Sequence, residues 1–319
     1  MKDVLFLYKN INMPVEVLKQ VRAYQIFSLL NRMVFFYTII VIFFRHFELT
    51  FKQIIIISAV ESIVTAVFEL PSGIVADVWG RKRTALVGIA GSALSCLLYV
   101  LIPSFAAFVA IEIILAVGAA LTSGSLSALI FEKFEESGNK DAYNGFLSQL
   151  SSQRFVVSAL VALSASFLYV FNVFLPFLAS FFFHGTSAFF LLKVKDSHTV
   201  DTKKLTPAAL SAFAWSNIKG FYANKPLLVY SLILAAFVLV ISNVAFLSQP
   251  HLVDLGLPVM YLGIFFFVCN IAAAVGSAKS ETVFRADKHS GFVLCAILLG
   301  ICTIFLVFHY WPRRIISKR

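Results

Sequence analysis

Charged side chains stand inside long apolar runs, among them Arg32, Glu61, Glu112 and Arg154. An unpaired ionised group at the centre of a bilayer costs about 2.5 to 3.5 kcal/mol even on the lenient insertion scale, so each needs a partner or a cavity. Glu112, together with Glu61 at a similar depth, has the chemistry to bind and release a proton or to hold a cationic substrate, with Arg32 tuning its protonation. Burial and a nearby guanidinium act on a carboxyl in opposite senses, so geometry decides the outcome. A permanent salt bridge tying helices together is the other reading of the same residues, and both stay open. Arg154 is a further cation in need of an acid.

A second set of polar residues lies in Gly73-Ile-Val-Ala-Asp77-Val-Trp-Gly80-Arg81-Lys82-Arg83, between two apolar runs. Its glycines permit a tight turn, and three consecutive cations cannot enter lipid. The stretch reads as a polar hinge between two membrane helices, on the cytoplasmic side. Glu132 and Glu135 are acids at the end of a later apolar run.

The elements that hold these residues follow from composition. Of 319 residues 60% are hydrophobic and 13% charged, which excludes an ordinary soluble domain. The net charge of +10 comes from basic residues scattered between apolar runs, not from a stripe of the kind that binds nucleic acid. A bilayer needs about 20 apolar residues per helical span, and nine segments qualify. They run over 24–44, 54–73, 84–102, 105–131, 143–171, 173–192, 227–247, 259–278 and 290–310. With few Gly and Pro, regular helices are expected. The fold class is therefore all-α, a polytopic bundle of transmembrane helices.

Positive charge clusters on alternate connections, which places the N-terminus in the cytoplasm and Arg45 and Lys52 outside. The tail, with Arg313, Arg314, Lys318 and Arg319, falls on the wrong side of this pattern. The expected organisation is a six-helix half at 1–193, a cytoplasmic linker at 194–225, and three spans at 226–319. Within the linker, Thr206 and Pro207 begin an amphipathic helix carrying Leu210, Phe213, Ala214, Ile218 and Phe221 at helical spacing. In the fourth span Ala116, Ala120, Gly124 and Ala128 recur every four residues, a strip along which another helix can approach closely. Glu112 lies one step beyond that strip, about seven residues, or roughly 10 Å, from the span's outer end.

Several classes are excluded. Cys96, Cys269, Cys295 and Cys302 lack metal or redox spacing and read as core residues. His184, isolated among phenylalanines, reads as a packed or interfacial histidine. No HExxH, GxSxG or phosphate loop is present, so neither an enzyme nor an ATP-driven pump is expected, and no cofactor or metal. No filter-like segment points to a channel.

The stretch from Gly73 to Arg83 closely resembles the loop between the second and third spans of major facilitator superfamily transporters, with Val78 where the family usually has a base. Preceded by Phe68-Glu69-Leu70-Pro71-Ser72, it is similar to a version found in bacterial members. Two further stretches fit the resemblance: Gln249 to Gly256 as an external loop, and Gly276 to Arg285 as a degenerate second copy of the motif loop. The resemblance implies a secondary active transporter of a small or drug-like solute in the cell membrane. Rocking of two halves would give alternating access, and H⁺ is a candidate coupling ion. It also implies that Arg32 and Glu112 face the central pathway and meet. Gly73, Asp77, Gly80, Arg81, Lys82, Arg83 and Glu132 would form a latch, with Asp77 near an eleventh span that nine spans do not provide. A transport-inactive remnant, or a membrane protein that binds partners, is the rival expectation.

Overall fold

The computed structural model describes residues 13–196 and 246–286, with a few positions between 219 and 233. Outside these residues lie the amphipathic helix expected after Thr206, the body of the seventh span, the ninth span, Cys295, Cys302 and both basic termini. All regular structure among the described residues is helical: α1 (Val15–Asn31), α2 (Ile40–His46), α3 (Phe51–Trp79), α4 (Arg81–Leu101), α5 (Phe105–Glu136), α6 (Tyr143–Phe171), α7 (Leu175–Leu191) and α8 (Val259–Ala286). Helices α3 to α6 and α8 are long and apolar enough to cross a membrane, and α1 with α2 passes the same test as one bent span. Helix α7 has 17 residues, about 25 Å at the helical rise, and is a shorter apolar helix. The chain is a multi-pass membrane protein.

The chain forms two compact units, Met1–Lys204 with Pro258–Ala278, and Leu205–Leu257 with Lys279–Arg319. In the first, α4 and α5 cross so closely that a Cβ on Gly88 would stand 2.5 Å from the Gly118 carbonyl oxygen. This approach falls beside the expected alanine strip, not on it. Ala116 and Ala120 are buried, whereas Gly124 is exposed, with Ser72 Oγ 4.0 Å from the place of its Cβ. Helices α6 and α8 run antiparallel, tied by Ser148 Oγ donating to the Ser277 carbonyl at 2.8 Å and Ser152 Oγ to the Ala274 carbonyl at 2.9 Å. Small residues again permit this, since a Cβ on Gly263 would lie 2.6 Å from the Ala162 carbonyl oxygen.

Helix ends have local causes. Thr50 and Gln53 form a reciprocal capping box at the start of α3, and the Ser104 hydroxyl accepts from the Ala107 amide at the start of α5. Among the described residues the core has a region of mixed aliphatic and aromatic side chains and an aromatic region. Toward the Gly80 end, Val21, Phe27, Ile89, Leu129, Phe134 and Phe146 pack together. Elsewhere rings dominate: Phe43 and Phe177 have centroids 4.3 Å apart, and Phe36 stacks on Phe177 at 5.2 Å. Many of the 35 phenylalanines thus serve ring packing between helices.

Three expectations about regularity are corrected. The first span is not one helix: α1 and α2 are bent by 42°, joined through a short 3-10 turn at Phe36–Thr38. No Pro or Gly is responsible. The Phe35 amide donates to Ser180 Oγ of α7 at 2.9 Å, a partner outside its own helix. The polar hinge at Gly73–Arg83 contracts to one residue, because α3 continues through Trp79 and α4 starts at Arg81. Likewise the connection between the spans expected at 105–131 and 143–171 is helical through Glu136 and turns at Gly138, φ +71°.

In the second unit, residues 246–254 are helical, where an external loop at Gln249–Gly256 was expected. The turn comes only at Gly256, φ +91°, whose amide donates to the Val253 carbonyl while Leu257 donates to that of Leu252, a Schellman closure. Helix α8 continues to Ala286, so the expected loop at Gly276–Arg285 is helical as well.

Candidate functional site

Two places bring together polar side chains that the sequence set apart. The first surrounds Gly80. Its φ of +97° is a conformation that side chains resist, and a Cβ there would lie 2.9 Å from Asp196 Oδ2. Asp196, just past α7, accepts from the Lys82 amide at 3.2 Å and 3.3 Å, and Lys82 Nζ donates to the Leu192 carbonyl at 2.6 Å. Arg81, Lys82 and Arg83 occupy the first turn of α4, where the helix dipole disfavours cations, and acids offset this.

Arg81 contributes its own acids. Its Nη1 is hydrogen bonded to Glu132 Oε1 of α5, and its Nη2 is 3.5 Å from Asp77 Oδ1, the last acid of α3. The Glu132 side chain is 13% exposed and that of Arg81 23%, whereas that of Asp77 is 51% exposed, so the Glu132 contact is the stronger. Glu135 instead pairs with Lys140 at 3.0 Å. Gly73, by contrast, has nothing within 4 Å of where a Cβ would stand.

The second place is the break in the first span. Its non-helical backbone borders a cavity of about 340 Å³ in the first unit, consistent with the rule that irregular backbone at membrane depth needs protein or water beside it. Arg32 and Tyr37 line it from the break, Thr122 from α5, Arg154 from α6 and His184 from α7. Arg32 Nε donates to Ser158 Oγ at 2.9 Å, and His184 Nδ1 lies 2.8 Å from Asn31 Oδ1.

The acids lie elsewhere. Glu112 is 7% exposed, and its Oε1 accepts from the Tyr99 hydroxyl of α4 at 2.5 Å. The expected meeting of Arg32 with Glu112 is not made: the break ends α1 at Arg32 and gives its guanidinium to α6, while Glu112 faces α4. Tyr37 lies within electrostatic range of Arg32, Glu61 and Glu112. Glu61, half-buried on α3, is within range of Glu112, and neither carboxyl lines the cavity.

Sequence reasoning missed Asp196, Tyr37, Asn31 and Gly118, and treated His184 as packed or interfacial. Asp196 had a signal, an acid straight after an apolar span, but nothing local tied it to Gly80. Tyr37 and Asn31 are uncharged and carry no spacing signature.

The family model for the Major Facilitator Superfamily matches residues 23–316. No curated protein matches the chain.

Proposed function

The chain belongs to the major facilitator superfamily, a family of transporters, and on that premise we propose that it carries a small solute across the cell membrane by alternating access. The observation that carries this reading is the cavity at the broken first span: a space of about 340 Å³, with polar lining, inside a bundle of apolar helices. Broken helices beside a midplane cavity are how transporters present polar groups without exposing backbone to lipid.

In this reading the Gly80 end is cytoplasmic and so is the N-terminus, since Arg81 to Arg83 lie there. Residues 1–193 act as one half, 194–225 as a linker and 226–319 as the second portion. Arg81, Asp77 and Glu132 form a latch that is made in one state of the cycle and broken in another, around the pivot of Gly80, Lys82 and Arg83. Glu61 and Glu112, off the solute cavity but within range of each other and of Tyr37, would carry the coupling proton.

Reconstitution into liposomes tests the reading. Uptake from a panel of labelled solutes is expected to exceed that of protein-free liposomes for at least one solute, and to respond to an imposed pH gradient. Glu112→Gln is expected to keep downhill exchange and lose the response to the gradient. A variant that still accumulates solute normally on a pH gradient removes Glu112 from the coupling path.

A further inference from the structure

The charge of the cavity specifies its cargo, given the transport reading above. Its two arginines are Arg32 and Arg154, and no acid is among its described lining residues. A second space of about 200 Å³ is lined by the same two arginines with Ser151 and Phe155, so both guanidinium groups stand between the two spaces. Arg32 uses only Nε, on Ser158, and so keeps its terminal amino groups. Arg154 makes no hydrogen bond or ion pair with any described residue.

The two guanidinium groups are within electrostatic range of each other, and like charges at that range repel. A pair of this kind is stabilised by an anion that both can reach. The nearby acids do not serve. Glu112 is held by Tyr99, Glu61 lies toward Tyr37, and Glu69 is 3.5 Å from Ser123 Oγ on the α5 wall, with no ion pair to either arginine. Arginine is the side chain that grips carboxylate or phosphate with paired parallel bonds. Tyr24 is within electrostatic range of Arg154, and Asn31, whose carbonyl oxygen is engaged by His184, also lines the cavity.

We propose that this chain transports an anionic solute, bearing a carboxylate or a phosphate, and that Arg32 and Arg154 bind that group between α1 and α6. The Glu61 and Glu112 carboxyls, away from the cavity, leave it positive.

The test uses charged thiol reagents on the full chain, with its four cysteines replaced by alanine and a single cysteine introduced at Ser151, in the second space, or at Ala119, in the cavity. Rates for an anionic and a cationic methanethiosulfonate of similar size are each normalised to reaction with free thiol. The anionic reagent is expected to react about tenfold faster or more, the scale on which a charged cleft concentrates counter-ions. Arg154→Gln with Arg32→Gln should bring the ratio to parity, and Arg154→Lys should largely preserve it. Protection of the cysteine by inorganic phosphate or by succinate identifies which group fits. Equal or faster reaction with the cationic reagent overturns the anion proposal and leaves transport standing. No reaction with either reagent at both positions overturns the solute cavity itself.

Discussion

Gly80 answers to two constraints that no other residue satisfies together: a positive φ and a carboxylate where a side chain would begin. Gly80→Ala is expected to cost about 1 to 3 kcal/mol from the backbone alone. Asp196→Ala removes a helix cap worth about 0.5 to 2 kcal/mol. Because the alanine at 80 collides with Asp196, the double variant should be less destabilised than the sum of the two, which thermal unfolding of the purified protein measures as a coupling energy. Tyr99→Phe withdraws the donor to Glu112 and leaves that buried carboxyl without a partner, at about 1 to 3 kcal/mol. At this scale the sequence exposes charged residues in apolar surroundings, so Glu112 stood out, whereas the pairing of Arg81 with Glu132 followed from the resemblance of the motif loop. The sequence hides neutral partners and long-range ones: Tyr99 is 13 residues from Glu112, and Asp196 is 114 from Lys82.

Among the elements, apolar length located α3, α4, α5 and α6, since hydropathy is fixed by the bilayer. Where a helix ends or bends was less legible. The first span contains no helix breaker, and its bend rests on a bond from Phe35 to Ser180, a residue 145 positions away. Ser180→Ala removes that acceptor and leaves a buried amide unpaired, so a loss of about 1 to 3 kcal/mol is expected. Ser180→Thr keeps the hydroxyl and should recover most of it; equal unfolding temperatures for both variants would refute this account of the bend. The expected strip of small residues on α5 had the right periodicity but the wrong register for the tight crossing, because Gly118 meets Gly88 on the neighbouring helix and a strip read from one helix alone cannot include its partner.

For the whole molecule, the decisive question is whether the Arg81 to Glu132 bond belongs to one state of the cycle or to all of them. A bond of equal strength in both states stabilises the fold and shifts no population, however strong it is; a bond made in one state favours that state by its full differential worth. Couplings of about 1 to 3 kcal/mol change a ratio of two states by about 5- to 150-fold. If the bond belongs to one state, as the proposed latch requires, Glu132→Gln is expected to raise labelling of a cysteine at Ala119 from the Gly80 side of the membrane and lower it from the other. Arg81→Gln should do the same, while the exchange Arg81→Glu with Glu132→Arg should move the labelling back. That exchange leaves Asp77 beside an acid, so the recovery is partial. If each single variant lowers the unfolding temperature but leaves the two-sided labelling ratio where it was, the pair is a brace within the first unit and the rocking motion is latched elsewhere.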